Sequence, residues 1–72
     1  MKYIYDIDCY MCESGPLEHR ERTTNRKEAL QVGALMSREF PFVEVNKSLM
    51  KVEGDEMYYE EFVEQVKSWR KE

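Results

Sequence analysis

Residues 3–12 read Tyr3-Ile4-Tyr5-Asp6-Ile7-Asp8-Cys9-Tyr10-Met11-Cys12, and their alternation decides the fold. Tyr3, Tyr5, Ile7, Cys9 and Met11 share one face; Ile4, Asp6, Asp8, Tyr10 and Cys12 share the other. A period of two predicts a half-buried strand. Glu13-Ser14-Gly15-Pro16 is a turn signal, and residues 17–24 read as a returning strand, although Glu18 to Arg22 is very polar. Charge sets the register. A loop of Glu13-Ser14-Gly15, with the glycine left-handed, pairs Cys12 with Pro16, Met11 with Leu17, Cys9 with His19, Asp8 with Arg20 and Asp6 with Arg22. Opposite charges then face each other on one side, worth roughly a few tenths of a kcal/mol each. A slip of one residue sets Asp8 against Glu21, which repels. Pro16 weighs against this register, because it has no N–H to give to the ladder.

Beyond the hairpin, Asn25 with Glu28 three residues on has the spacing of a capping box, with Asn in place of Ser or Thr. Ala29, Val32, Gly33, Met36 and Phe40 follow at helical spacing, widened by Leu30 and Leu35, and Pro41 ends the helix. Gly33 weakens this helix and lets it sit close to the sheet. Phe42-Val43-Glu44-Val45 reads as a short strand, and residues 49–53 as a weaker fourth one. Gly54-Asp55 then starts a second helix with Tyr58, Phe62, Val63, Val66 and Trp69 as its apolar stripe. The order is β-β-α-β-(β)-α. The expected fold is α+β: a small antiparallel sheet of three or four strands with two helices packed on one face. The other face is expected to be wet and to carry Asp6, Asp8, Tyr10, Arg20 and Arg22.

The chain has 72 residues and a mass of 8.7 kDa, which fits a single compact domain over 1–72. Its 42% hydrophobic content suffices for one core and is too high for a disordered chain. No apolar run approaches the ~18 residues of a membrane span, and the opening Met1-Lys2-Tyr3-Ile4-Tyr5-Asp6 reaches an aspartate too soon for a signal peptide. With only two cysteines and no export signal, a reducing cytoplasmic setting is expected, where cysteines stay thiols or act as ligands. The net charge of −4 argues against a general nucleic-acid binder. One basic island, Arg20, Arg22, Arg26 and Lys27 against Glu21, sums to +3 in an otherwise acidic chain.

Three groups could carry chemistry. Cys9 and Cys12 have the C-x2-C spacing of half a zinc site, with His19 as a third ligand and the fourth supplied by a carboxylate, water or a second chain. Regular strand at 9–12 would point the two thiols to opposite faces, so one core and one surface cysteine is the plainer reading. Acid–base catalysis by His19 needs a positioned partner, and Cys9 opposite it across the hairpin would make a Cys–His pair, but neither an oxyanion donor nor a substrate cleft can be named; a non-enzymatic protein is expected, with no cofactor. The acids Glu53, Asp55, Glu56, Glu60, Glu61 and Glu64 either mimic phosphates, dock a basic groove, or simply complement a helix dipole and solvate its outer face.

The functional expectation is a small acidic protein-interaction module. Its contacts are expected at Glu56, Tyr59, Glu60 and Glu64 on the last helix, or at Tyr10 with Arg20 and Arg22 on the sheet. Tyrosines ringed by charge are common interface anchors. In general form, a hairpin, a capped helix and a short strand in a tiny acidic chain, it is similar to many small phage or prophage proteins. No motif carries that likeness, which implies binding and blocking a host protein. The alternatives are a zinc-stabilised domain using Cys9, Cys12 and His19, and a nucleic-acid binder using the basic island. A homodimer would add core by pairing edge strands or helices.

Overall fold

The alternation of residues 3–12 becomes β1 (Lys2–Tyr10), and the polar return becomes β2 (Leu17–Thr23). A helix, α1 (Arg26–Met36), leads to β3 (Phe42–Glu53) and β4 (Met57–Arg70). The computed structural model describes residues 2–53 and 57–71, with residues 52, 53 and 57–59 described by backbone alone. The four strands form one antiparallel sheet in the order β2-β1-β3-β4. The link through α1 therefore carries the chain across β1, from one edge strand to the centre. Among the described residues no helix is long and apolar enough to cross a membrane.

The expected second helix is instead β4, so the sheet has four strands and one helix covers it. The expected strands at 42–45 and 49–53 are one continuous β3 of 12 residues. Two bulges explain why β4 resembles a helix in sequence. Val45 pairs with Lys67 and Asn46 with Gln65, leaving Val66 extra; Lys47 pairs with Glu64 and Ser48 with Phe62, leaving Val63 extra. Each inserted residue stretches the side-chain repeat from two to three. Phe62, Gln65 and Ser68 thus share a face at a spacing that mimics a helical turn.

The first hairpin keeps the expected register where charge sets it: Asp6 faces Arg22, Asp8 faces Arg20 and Cys9 faces His19. Nearer the loop the register shifts. Tyr10 faces Leu17, so Glu18 is the extra residue, and the expected Met11–Leu17 and Cys12–Pro16 pairs do not form. A proline cannot donate to that ladder, which stops at Leu17. The connection turns at Cys12–Gly15, where the Gly15 N–H donates to the Cys12 carbonyl at 3.1 Å. Gly15 is not left-handed as expected; its missing side chain makes room for Cys12, whose Sγ would lie 2.3 Å from a Cβ there.

The helix-side face holds the core. Tyr5, Ile7 and Cys9 of β1, Val43 and Val45 of β3 and Ala29 of α1 are buried together, with Val32, Met36, Phe40, Val66 and Trp69 packed against them. Asn25 caps α1, its Oδ1 accepting from the Glu28 N–H at 3.0 Å. The reciprocal half of the box runs through Thr23, whose Oγ1 accepts from the Asn25 N–H and donates to the Glu28 carboxylate. The helix stops at Met36, short of the expected Phe40; the turn after it frees Phe40 to pack on the core and to stack on His19 at 6.2 Å. Gly33 does bring the helix onto the sheet. A Cβ there would lie 2.5 Å from the Trp69 ring and 3.2 Å from Val45.

Candidate functional site: the open face of the sheet

Strand pairing lays the second face out in rows that run across the sheet. The end row is Leu17, Tyr10, Phe42 and Arg70; the next is Arg20, Asp8, Glu44 and Ser68; the third is Arg22, Asp6, Asn46 and Gln65. The next two strand positions place Ile4 beside Ser48 and Phe62, then Lys2 beside Met50 and Glu60. Side chains in a row stand within reach of their neighbours, so each row is a set of potential contacts.

This face holds the residues expected on it, but it is not simply wet. Asp6 and Asp8 are only 6% and 4% exposed. Buried carboxylates need partners, and both have them. The Arg20 Nε donates to Asp8 at 2.7 Å and its Nη2 to the other oxygen at 3.4 Å; Arg22 holds Asp6 with the same two distances. The Asn46 amide bridges Asp8 and Glu44, donating at 3.2 Å to each. Glu44 also accepts from Gln65 at 2.8 Å and from the Tyr10 hydroxyl at 3.3 Å. No buried side-chain polar atom among the described residues lacks a partner.

The sheet curls toward this face. Arg22 Nη1 lies 2.8 Å from Glu60 Oε1, joining the first and last strands of the sheet order. In a flat sheet those strands would stand about 14 Å apart. The bulges in β4 supply the bend.

The first rows therefore differ in character. The second and third are tied together by internal hydrogen bonds. The end row presents carbon: Leu17 is 41% exposed, and Tyr10 and Phe42 are half-buried. Arg70 stacks over Phe42 at 5.8 Å and pairs with Glu13 of the hairpin loop. Tyr10, Phe42, Glu44, Gln65, Ser68 and Arg70 contribute to the lining of a groove of about 290 Å³. Burial, then the Asp8 and Glu44 charges and the bond to Glu44, push the Tyr10 phenol above its ordinary value, so it stays protonated and donates.

The other expected site residues lie outside the end row. Glu60 is bound to Arg22, and Glu64 lies 4.0 Å from Arg26; both sit on β4 rather than on a helix. Glu56 lies outside the described residues, and Tyr59 is described by its backbone alone. Arg20 and Arg22, half of the basic island, are committed to aspartates. Cys9, Cys12 and His19 do not converge. Cys9 is buried on the helix side, where burial, then Asp8, Glu21 and Glu39, raise its thiol. Cys12 is exposed in the loop, and His19 stacks on Phe40 with Nε2 3.8 Å from Glu21. No three or more metal-ligating groups come together among the described residues.

Leu17, Phe42 and Arg70 were not singled out by sequence reasoning. Strand order brings Phe42 and Arg70 to Tyr10, and the extra residue Glu18 sets Leu17 opposite Tyr10 rather than Met11. The nearest sequence signal was a leucine at the start of so polar a strand as β2. Comparison with family models, with curated proteins and with solved structures found no match.

Proposed function

We propose that the chain is a non-enzymatic protein-interaction module that docks a partner protein on the end row of its open face. The row Leu17, Tyr10, Phe42 and Arg70 carries this reading. Aromatic and arginine side chains set in a polar surround are the usual energetic centre of an interface. Here the surround is rigid: Tyr10 is held by Glu44, which is held by Asn46 and Gln65. Pre-ordered side chains lose less entropy on binding. The groove of about 290 Å³ is at the small end of the ligand-pocket range of about 300–1,000 Å³, and has room for one side chain of a protein partner. Bound there, the module would cover the partner surface that presents the side chain, which is how so small a protein would inhibit a host factor.

The test is affinity capture from cells in which the protein is naturally made. Tyr10→Ser with Leu17→Ser should abolish capture of a defined partner. Leu35→Ser, on the exposed side of α1 where Leu35 is 58% exposed, should leave it intact. Equal capture by all three proteins would contradict the assignment.

A further inference from the structure

We infer that the outer edge of β4 is the seam of a homodimer, pairing antiparallel with β4 of a second copy about a two-fold axis at Gln65. This goes beyond the docking row, with which it shares Arg70, and uses the outer edge of the sheet. β4 is the last strand in the sheet order and, among the described residues, pairs only with β3. An unpaired edge is a template for another strand. Phe62 and Val63 on this edge strand are 64% and 45% exposed.

Charge selects a second copy as the occupant. Glu60, Glu61 and Glu64 lie in the first part of the described strand; Lys67, Arg70 and Lys71 lie at its end and just beyond. An antiparallel copy sets acids against bases at both ends of the seam. The faces agree as well. On the open side β4 presents Glu60, Phe62, Gln65, Ser68 and Arg70; on the helix side it presents Glu61, Glu64, Lys67 and Trp69. Each series keeps nearly the same spacing read from either end about Gln65. Glu60 then faces the partner's Arg70 and Phe62 the partner's Ser68, while Glu64 faces the partner's Val66, next to the partner's Lys67. A two-fold interface requires such self-complementarity.

Bulges ordinarily blunt an edge against chance pairing. Those at Val63 and Val66 lie two residues before and one residue after Gln65, and the open-side series Glu60, Phe62, Gln65, Ser68 and Arg70 keeps its symmetry across them. The internal pairs of Glu60 with Arg22, Glu64 with Arg26 and Arg70 with Glu13 involve exposed or half-exposed partners. Such pairs bind weakly and can be shared with a second copy.

Sedimentation of the full chain, with two edge variants, tests the inference. Glu60→Arg with Glu64→Lys makes the edge basic; Lys67→Glu with Arg70→Glu makes it acidic. The wild type should be dimeric, each variant alone monomeric, and an equimolar mixture of the two dimeric again. A wild type that stays monomeric up to about 1 mM, or variants that each dimerise alone, would overturn it. Should a variant fail to fold, hydrogen exchange on the wild type decides. The β4 amides that do not bond β3 should lose protection on dilution; protection independent of concentration would count against the seam.

Discussion

Gly33 and Gly15 both lack a side chain because a neighbour occupies the space, but the neighbours differ. At Gly33 the obstacle is the Trp69 ring, 2.5 Å from where a Cβ would stand and packed in the core. At Gly15 it is the sulfur of an exposed cysteine that can rotate away. Alanine at Gly33 gains up to about 1 kcal/mol in helix propensity, yet overpacking costs about 1–3 kcal/mol. Gly33→Ala should therefore destabilise, and adding Trp69→Leu should reverse the sign of the effect. Gly15→Ala should stay within about 0.5 kcal/mol. Urea titrations of the wild type, the two glycine variants, Trp69→Leu and the double variant check this. The Cys9 thiol and the Tyr10 phenol give a pH signature. Burial chiefly raises the Cys9 and Tyr10 pKa values above their ordinary 9.0 and 10.0, so the folded state holds these protons more tightly than the unfolded chain. Their contribution is complete below those ordinary values and is lost as pH rises through the raised ones. The urea midpoint should fall from about pH 9 upward, and Tyr10→Phe should make that fall shallower. A midpoint that rises over the same range would contradict the assignment.

Elements that rest on one strong local signal were legible in the sequence. The Asn25 cap is where it was expected, and Asn25→Ala should cost about 0.5–2 kcal/mol in a urea titration; a smaller loss would mean that Thr23 carries the cap. The Asp6–Arg22 and Asp8–Arg20 pairs fixed the register of β1 against β2 because no slipped alignment satisfies both. β4 was not legible, for a reason its residues make plain. Val63 and Val66 are inserted by bulges, so the apolar positions Phe62, Val66 and Trp69 fall at spacings a helix would use. The contrary signal lay in composition. Tyr58, Tyr59, Phe62, Val63, Val66 and Trp69 are aromatic or β-branched, the types strands favour. Of the candidate site, Tyr10 and the Asp–Arg pairs could be read from β1 and β2. Leu17, Phe42 and Arg70 could not: Leu17 meets Tyr10 through the bulge at Glu18, and Phe42 and Arg70 through the strand order of the whole sheet.

At the scale of the molecule, one 11-residue helix cannot cover the sheet it serves. It is about 16 Å long, against about 40 Å for the 12 residues of β3. The far part of the β3–β4 ribbon therefore runs beyond the helix, consistent with overall dimensions of 45 × 25 × 17 Å. Curling toward the open face compensates: it brings Glu60 to Arg22 and buries Ile4, Asp6 and Asp8 on the side the helix does not reach. The proposed docking row lies at the end of this face, where the sheet presents aromatic and aliphatic carbon around a small groove. A photoreactive side chain placed at Leu17 tests that claim most directly, against the same group placed at Leu35. The account predicts that Leu17 cross-links one defined partner in cells, that Tyr10→Ser removes the product, and that Leu35 yields none. Equal products from both positions, or a Leu17 product indifferent to Tyr10, would contradict it.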